Sequence, residues 1–150
     1  MKAASEVTAT RELAWACEDT VIRFTAHLDS CEYEEASALL APTGILRRPG
    51  GMDIVGREHL LHWYLNRDPK ATVRHVLTNM RTTLIDSGSV LVQSYVTLFF
   101  HALISSSNAA PPAAKVSMMG RYSDTLTNMD GVWLLTHREV QVDFQGDGAA

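Results

Sequence analysis

"ATVRHVLTNMRTTLIDSGSVLVQSYVTLFFHA", residues 71–102, decides the fold. β-branched and aromatic residues fill both halves, and such side chains suit a pleated, half-buried surface. "DSGS" separates them with the short polar residues of a hairpin turn. The stretch therefore reads as two long antiparallel strands, Val73–Asp86 and Ser89–Ala102. In the second, the even positions Val90, Val92, Val96, Leu98 and Phe100 are apolar, whereas the odd ones include Gln93, Thr97 and His101. That alternation turns one face toward a core. His75 stands near the start of the first strand and His101 near the end of the second. A two-residue loop places His75 among the even, apolar set; a three-residue loop places it opposite His101.

Downstream, Lys115–Leu126 and Val132–Phe144 repeat the strand composition around a second turn, "NMDG". Between the hairpins, "SSSNAAPPAA" (105–114) reads as a polar loop with few packing contacts, expected to be mobile at a pocket rim or interface edge. Upstream, the period changes. Leu13, Cys17, Val21, Phe24 and Leu28 recur at steps of three and four and mark one face of a helix capped by Thr10. "LDSCEYEEASALLAP" restarts a shorter helix, with Asp29 and Glu32 spaced as a capping box. "TGILRRPGGMDIVG" leaves room for short strands around Ile45 and Ile54. Gly56 precedes a third helix, with Leu60, Leu61, Tyr64 and Leu65 expected inward and Pro69 as its stop. Helices first and an antiparallel sheet afterwards make an α+β fold. A long sheet carrying three helices on one face should curl and leave a pocket between the layers.

The 150 residues suit one domain, 1–150, with an ordered core over about 10–144. At 46% hydrophobic residues the chain can build a substantial core. Its net charge of −4 gives no reason to expect nucleic acid. No apolar run is long enough to span a bilayer, and the N-terminus lacks the apolar centre of a secretory signal. Cys17 and Cys31 have no metal-ligand spacing, so a reduced cytoplasmic setting is expected. His59 and His62 lie one turn apart on the third helix, but a third ligand is missing, and a solvated face is the expectation.

Three segments carry a resemblance. "RHVLTNMRTTLIDSGSVLVQSY", "GRYSDTLTNMDGVWLLTHREVQVD" and "HLDSCEYEEASALLAP" resemble the strand-turn-strand, closing hairpin and first helix junction of the SnoaL-like branch of the nuclear transport factor 2-like superfamily. The resemblance implies a cone-shaped, cystatin-like fold: three N-terminal helices packed on a curved, mostly antiparallel sheet. Scytalone dehydratase and a dehydrochlorinase of this superfamily place an aspartate after the first helix and a histidine early in a strand. Asp29 and His75 match those positions, and His101 matches a second histidine of the scytalone enzyme. Leu28 stands where that enzyme has a tyrosine, and the dehydrochlorinase lysine has no counterpart.

A carboxylate on one imidazole nitrogen fixes the tautomer, so the other can take a proton near neutral pH. The resemblance thus implies a lyase or isomerase acting on an apolar, cyclic small molecule. His75 is the candidate base, Asp29 its orienter and His101 a second acid or base. Tyr95, Phe99, Trp63 and Arg121 are candidate substrate-binding residues. Neither metal nor organic cofactor is required. Structural roles compete: Asp29 as a helix cap, the tryptophans as core, and Arg121 in an ion pair with Asp124, Glu139 or Asp143. The resemblance also implies an alternative, a non-catalytic partner of an oxygenase alpha subunit, like the beta subunits of ring-hydroxylating dioxygenases; a ligand-binding module is a third. Apolar residues on both parities of the strands predict a homodimer or homotrimer packed sheet to sheet.

Overall fold

The structure, a computed structural model, describes residues 7–67, 71–102 and 115–146. A two-residue strand β1 (Val7–Thr8) leads into helix α1 (Arg11–Asp29) and the short helix α2 (Tyr33–Ala38). Strands β2 (Leu40–Arg48) and β3 (Met52–Val55) form a hairpin before helix α3 (Arg57–Leu65). Four long strands follow: β4 (Ala71–Asp86), β5 (Ser89–Ala102), β6 (Val116–Met129) and β7 (Val132–Gln145). Loop 105–114 lies outside the described residues.

Thr10 caps α1 as expected, its Oγ1 accepting the Leu13 N–H at 3.3 Å. Cys17, Val21 and Phe24 form the buried face of this helix. They meet Val90 and Val92 of β5, Leu126 of β6 and Leu135 of β7 in one core cluster. Full burial of a valine, leucine or phenylalanine side chain contributes roughly 1.5–3 kcal/mol, so this layer contact anchors the helix. In α3, Leu60 and Tyr64 are buried as expected, but Leu65 is exposed. That helix ends at Leu65, and its side chain falls beyond the edge of the core. Trp15 also departs from the core reading: it sits on the outer face of α1, 73% exposed.

The sheet runs β1-β4-β5-β6-β7-β2-β3. All neighbours are antiparallel except β2 and β7, which run parallel. The fold is α+β, three helices on a curved, unclosed sheet. No helix among the described residues is long and apolar enough to cross a membrane.

The register of β4 on β5 shifts twice. Asp86 pairs with Ser89, Leu84 with Val90, and Thr78 with Tyr95. One shift lies at Ile85 and the other between Thr78 and Arg81, where Asn79 adopts φ 52°. Each extra residue turns the following side chains to the other face. Two shifts cancel, so His75 pairs with Leu98 and Val73 with Phe100. His75 therefore faces the helix layer together with the even residues of β5.

Candidate functional site

Asp29 is the last residue of α1, not a cap of α2. The cap position of α2 is Glu32, whose side chain makes no capping bond. Glu32 instead meets His27 Nδ1 at 2.6 Å. The capping-box reading fails because Cys31, at φ 61°, turns the chain between the two acids. That turn frees the Asp29 carboxylate to reach β4. Its Oδ2 accepts the His75 backbone N–H at 2.9 Å, and its Oδ1 lies 2.6 Å from His75 Nδ1. β1 covers β4 only at Thr83 and Leu84, so the carboxylate occupies the strand edge farther along. The Arg74 Nη1 donates to the Asp29 carbonyl at 2.7 Å, a further tie between the same two segments. Both members of the pair are nearly enclosed, with His75 13% and Asp29 14% exposed at the side chain.

His75 opens onto a cavity of about 140 Å³ between the helices and the sheet. Phe24 and Leu28 of α1, Val73 of β4, and Leu98 and Phe100 of β5 give it an apolar wall. Met118 and Tyr122 of β6 continue that wall. Arg48 of β2, Trp63 and Tyr64 of α3, and Arg67 just beyond α3 line another part. The Tyr122 ring lies 6.5 Å from the imidazole, centroid to centroid. Burial pushes the Tyr122 and Tyr64 hydroxyls above their ordinary range, so both stay protonated and able to donate.

A buried ion pair braces this wall. Arg138 Nε and Nη2 donate to the two carboxylate oxygens of Asp124 at 2.6 and 2.7 Å. Burial opposes the Arg138 charge, but Asp124 outweighs it and holds the guanidinium protonated. The same guanidinium stacks over Tyr122 at 4.3 Å and Phe24 at 4.8 Å. It thus couples β6 and β7 to α1 at the cavity.

The structure brings together Asp29, His75 and Trp63 around the cavity and separates the other candidates. His101 pairs with Thr72, one step out of phase with the Val73–Phe100 pair, and so faces the opposite side of the sheet. It cannot act with His75 in this cavity. Tyr95 and Phe99 share the outer parity with His101, pairing with Thr78 and Arg74. Arg121 pairs with Tyr95 on that outer face and forks onto Asp143 at 2.8 and 2.9 Å. None of these three lines the cavity. The residues missed were Tyr122, Arg48, Arg67 and the Asp124–Arg138 pair. A phase argument could have found two of them: Tyr122 and Asp124 share the parity of Leu126, the one leucine of that strand. Among the described residues no group of three or more His, Cys, Asp or Glu side chains could hold a metal ion. His59 and His62 are exposed, His59 turned back to the Val55 carbonyl.

A carboxylate–imidazole pair opening onto a cavity between helices and a sheet defines a small α+β pocket domain. This chain belongs to the SnoaL-like domain family, whose model matches residues 9–139. Aln2 from a Streptomyces species is similar in structure, with TM-score 0.78 and 21% identity over 91% of this chain and 95% of that one. A candidate scytalone dehydratase from Novosphingobium aromaticivorans has TM-score 0.70 and 19% identity, covering 91% and 87% of the two chains. A protein of unknown function with a cystatin-like fold from Nostoc punctiforme has TM-score 0.71 and 19% identity over 91% and 96%. At these identities the likeness shows the fold. No curated protein matches the sequence.

Proposed function

We propose that this chain is a lyase or isomerase that moves a proton on a cyclic, largely apolar molecule held in the cavity. The observation that carries this reading is the 2.6 Å contact of Asp29 with His75 Nδ1 at the edge of an apolar wall. With Nδ1–H donated to the carboxylate, Nε2 is the nitrogen left to accept a proton. His75 takes a proton from a carbon next to a carbonyl, and the C–H electron pair moves into an enolate. The protonated Tyr122 hydroxyl is the nearby donor for the negative oxygen. The enolate then expels a β-hydroxyl as water, using the proton on His75, and forms a double bond. Return of that proton to another carbon gives isomerisation instead. Asp29 stabilises the imidazolium between the two steps.

The probe is 3-hydroxycyclohexanone, whose dehydration to cyclohexenone is followed by ultraviolet absorbance, with deuterium uptake at the α-carbon in heavy water as a second readout. The wild-type chain should accelerate one or both, and His75→Ala should abolish the effect. An unchanged rate in folded His75→Ala would overturn the assignment of the base.

The reading extends to assembly. We propose that a second copy of the chain covers the outer face of the sheet, where Val76, Tyr95 and Met119 are exposed.

A further inference from the structure

The cavity carries more positive charge than a base-catalysed reaction needs. Arg48 and Arg67 both line it and both stack on Trp63, their guanidinium carbons 4.2 and 5.1 Å from the ring centroid. Arg67 also reaches Tyr64, at 5.6 Å. Arg138, the third arginine of the wall, is neutralised by Asp124. Among the described residues, Arg48 and Arg67 have neither a carboxylate partner nor a side-chain hydrogen bond. Their environment is one of like charge and aromatic rings: burial and the neighbouring Arg67 both work against the Arg48 charge, and only tyrosines favour it.

Stacking on an indole engages the flat face of a guanidinium and leaves its N–H edge free. A free edge is the part that forks onto a carboxylate. Two cations sharing one aromatic ring, with no carboxylate bonded to either, raise the free energy of the empty site, and a bound anion relieves it. The cavity volume limits the rest of the ligand. A cavity of roughly 150 Å³ accommodates a single benzene-sized ring, and the cavity here, which is partly open to solvent, is about 140 Å³.

We infer that the cavity binds a single-ring organic carboxylate, with its ring against the Phe24–Leu98–Phe100 wall and its carboxylate on Arg48 and Arg67. The inference rests on the same cavity as the proposed reaction and deepens it, for it makes the substrate an anion anchored at the Trp63 end while His75 works on the ring. Arg48 and Arg67 are then specificity determinants, separate from the proton-transfer pair.

Binding alone tests this, so the result does not depend on turnover. Benzoate, benzamide and inorganic phosphate are titrated into the full chain while tryptophan fluorescence and amide chemical shifts are followed. Benzoate should bind at least about tenfold more tightly than benzamide, as expected for a charge-assisted fork. Arg48→Gln and Arg67→Gln should each remove most of that preference, and Arg48→Lys should retain part of it. Phosphate should compete weakly, because it has no ring. Circular dichroism establishes that each variant is folded. Equal binding of benzoate and benzamide overturns the inference, as does benzoate affinity unchanged in both glutamine variants. Phosphate competing as well as benzoate would reduce the site to a bare anion hole and overturn the ring assignment. His75→Ala removes the base but leaves both arginines, so it should keep the preference for benzoate over benzamide while losing the dehydration; that pair of readouts separates failure of the base from failure of the anion site.

Discussion

One carboxylate, Asp29, holds both the backbone N–H and the imidazole Nδ1 of His75. The pair joins the end of α1 to the open edge of β4, so it is at once a tertiary clamp and an orienter of the ring. Those two roles separate on substitution. Asp29→Asn keeps an acceptor oxygen but loses the charge that stabilises an imidazolium. Its activity should fall by about 10²–10⁴, the span typical of general acid–base assistance, with little loss of stability. Asp29→Ala removes both acceptors and should also lower stability by about 1–3 kcal/mol. Urea unfolding alongside the dehydration assay distinguishes the two, and equal stability losses in Asn and Ala variants would count against the clamp.

Arg138 should matter more to stability than any exposed arginine. It is 2% exposed and Asp124 is wholly buried. Arg138→Met alone strands a buried carboxylate and should cost about 3–5 kcal/mol. The double variant Asp124→Leu with Arg138→Met should recover most of that, since a packed apolar pair often replaces a buried ion pair without penalty. Denaturant midpoints of the two single variants and the double close the cycle. A single-variant loss no larger than that of Arg121→Met, which breaks the exposed pair with Asp143, would contradict this account.

The two cysteines should differ in reactivity. Cys17 is fully enclosed in the core, and burial pushes its thiol up to about 11, with Glu18 adding to the effect. Cys31 is exposed. A chromogenic disulfide reagent at pH 8 should therefore modify one thiol per native chain and both in denaturant. The shift also sets a pH trend. A thiol in an unfolded chain ionises near about 8.5, so Cys17 favours the folded state fully below that value. Its contribution is lost as pH rises toward about 11. Cys17→Ala should flatten the alkaline fall in stability; a fall identical to wild type would exclude Cys17 as its cause.

How much of this could be read from the sequence follows the range of the interactions. The first and third helices, the hairpins and the face of β5 rest on local periodicity, and they appear where the pattern puts them; the second helix is confined to Tyr33–Ala38, after the turn at Cys31 and before β2. The side on which His75 lies does not rest on periodicity, because it depends on two bulges in β4 whose effects cancel. Nothing in "LTNMRTTLID" fixes their number, although Asn79 is a residue type that tolerates positive φ. Arg138 was hidden for the same reason: a shift at Thr136 moves it opposite Asp124. The parallel pairing of β2 with β7 is a long-range contact between segments with no shared turn. Tyr122 is legible from the phase of its strand, whereas the charge of its neighbour Arg121 marks the opposite face of the sheet. Asp29 and His75 came together as the family resemblance implied.

Assembly is tested through the outer face of the sheet. Val76 pairs with Thr97, Thr97 with Met119, and Met119 with Phe144, so these four side chains form one row across β4, β5, β6 and β7. Val76 is 45% exposed, Met119 39% and Phe144 69%. At about 4.8 Å between strands such a row is roughly 14 Å wide. Beside it runs a second row, Thr78, Tyr95, Arg121 and Gln141, in which the exposed Tyr95 adds apolar surface next to charge. A strip of this kind, apolar along one line and polar along the next, can pair with its own copy about a twofold axis. Light scattering at micromolar concentration should thus give at least twice the chain mass of 16.5 kDa. Met119→Glu sets a carboxylate in the middle of the row, opposite its symmetry mate or close to it, and should yield a folded monomer with the inner cavity unaltered. A monomer in the wild type would sink the proposal of a second copy, and benzoate binding by the Met119→Glu variant would show that the cavity does not need one.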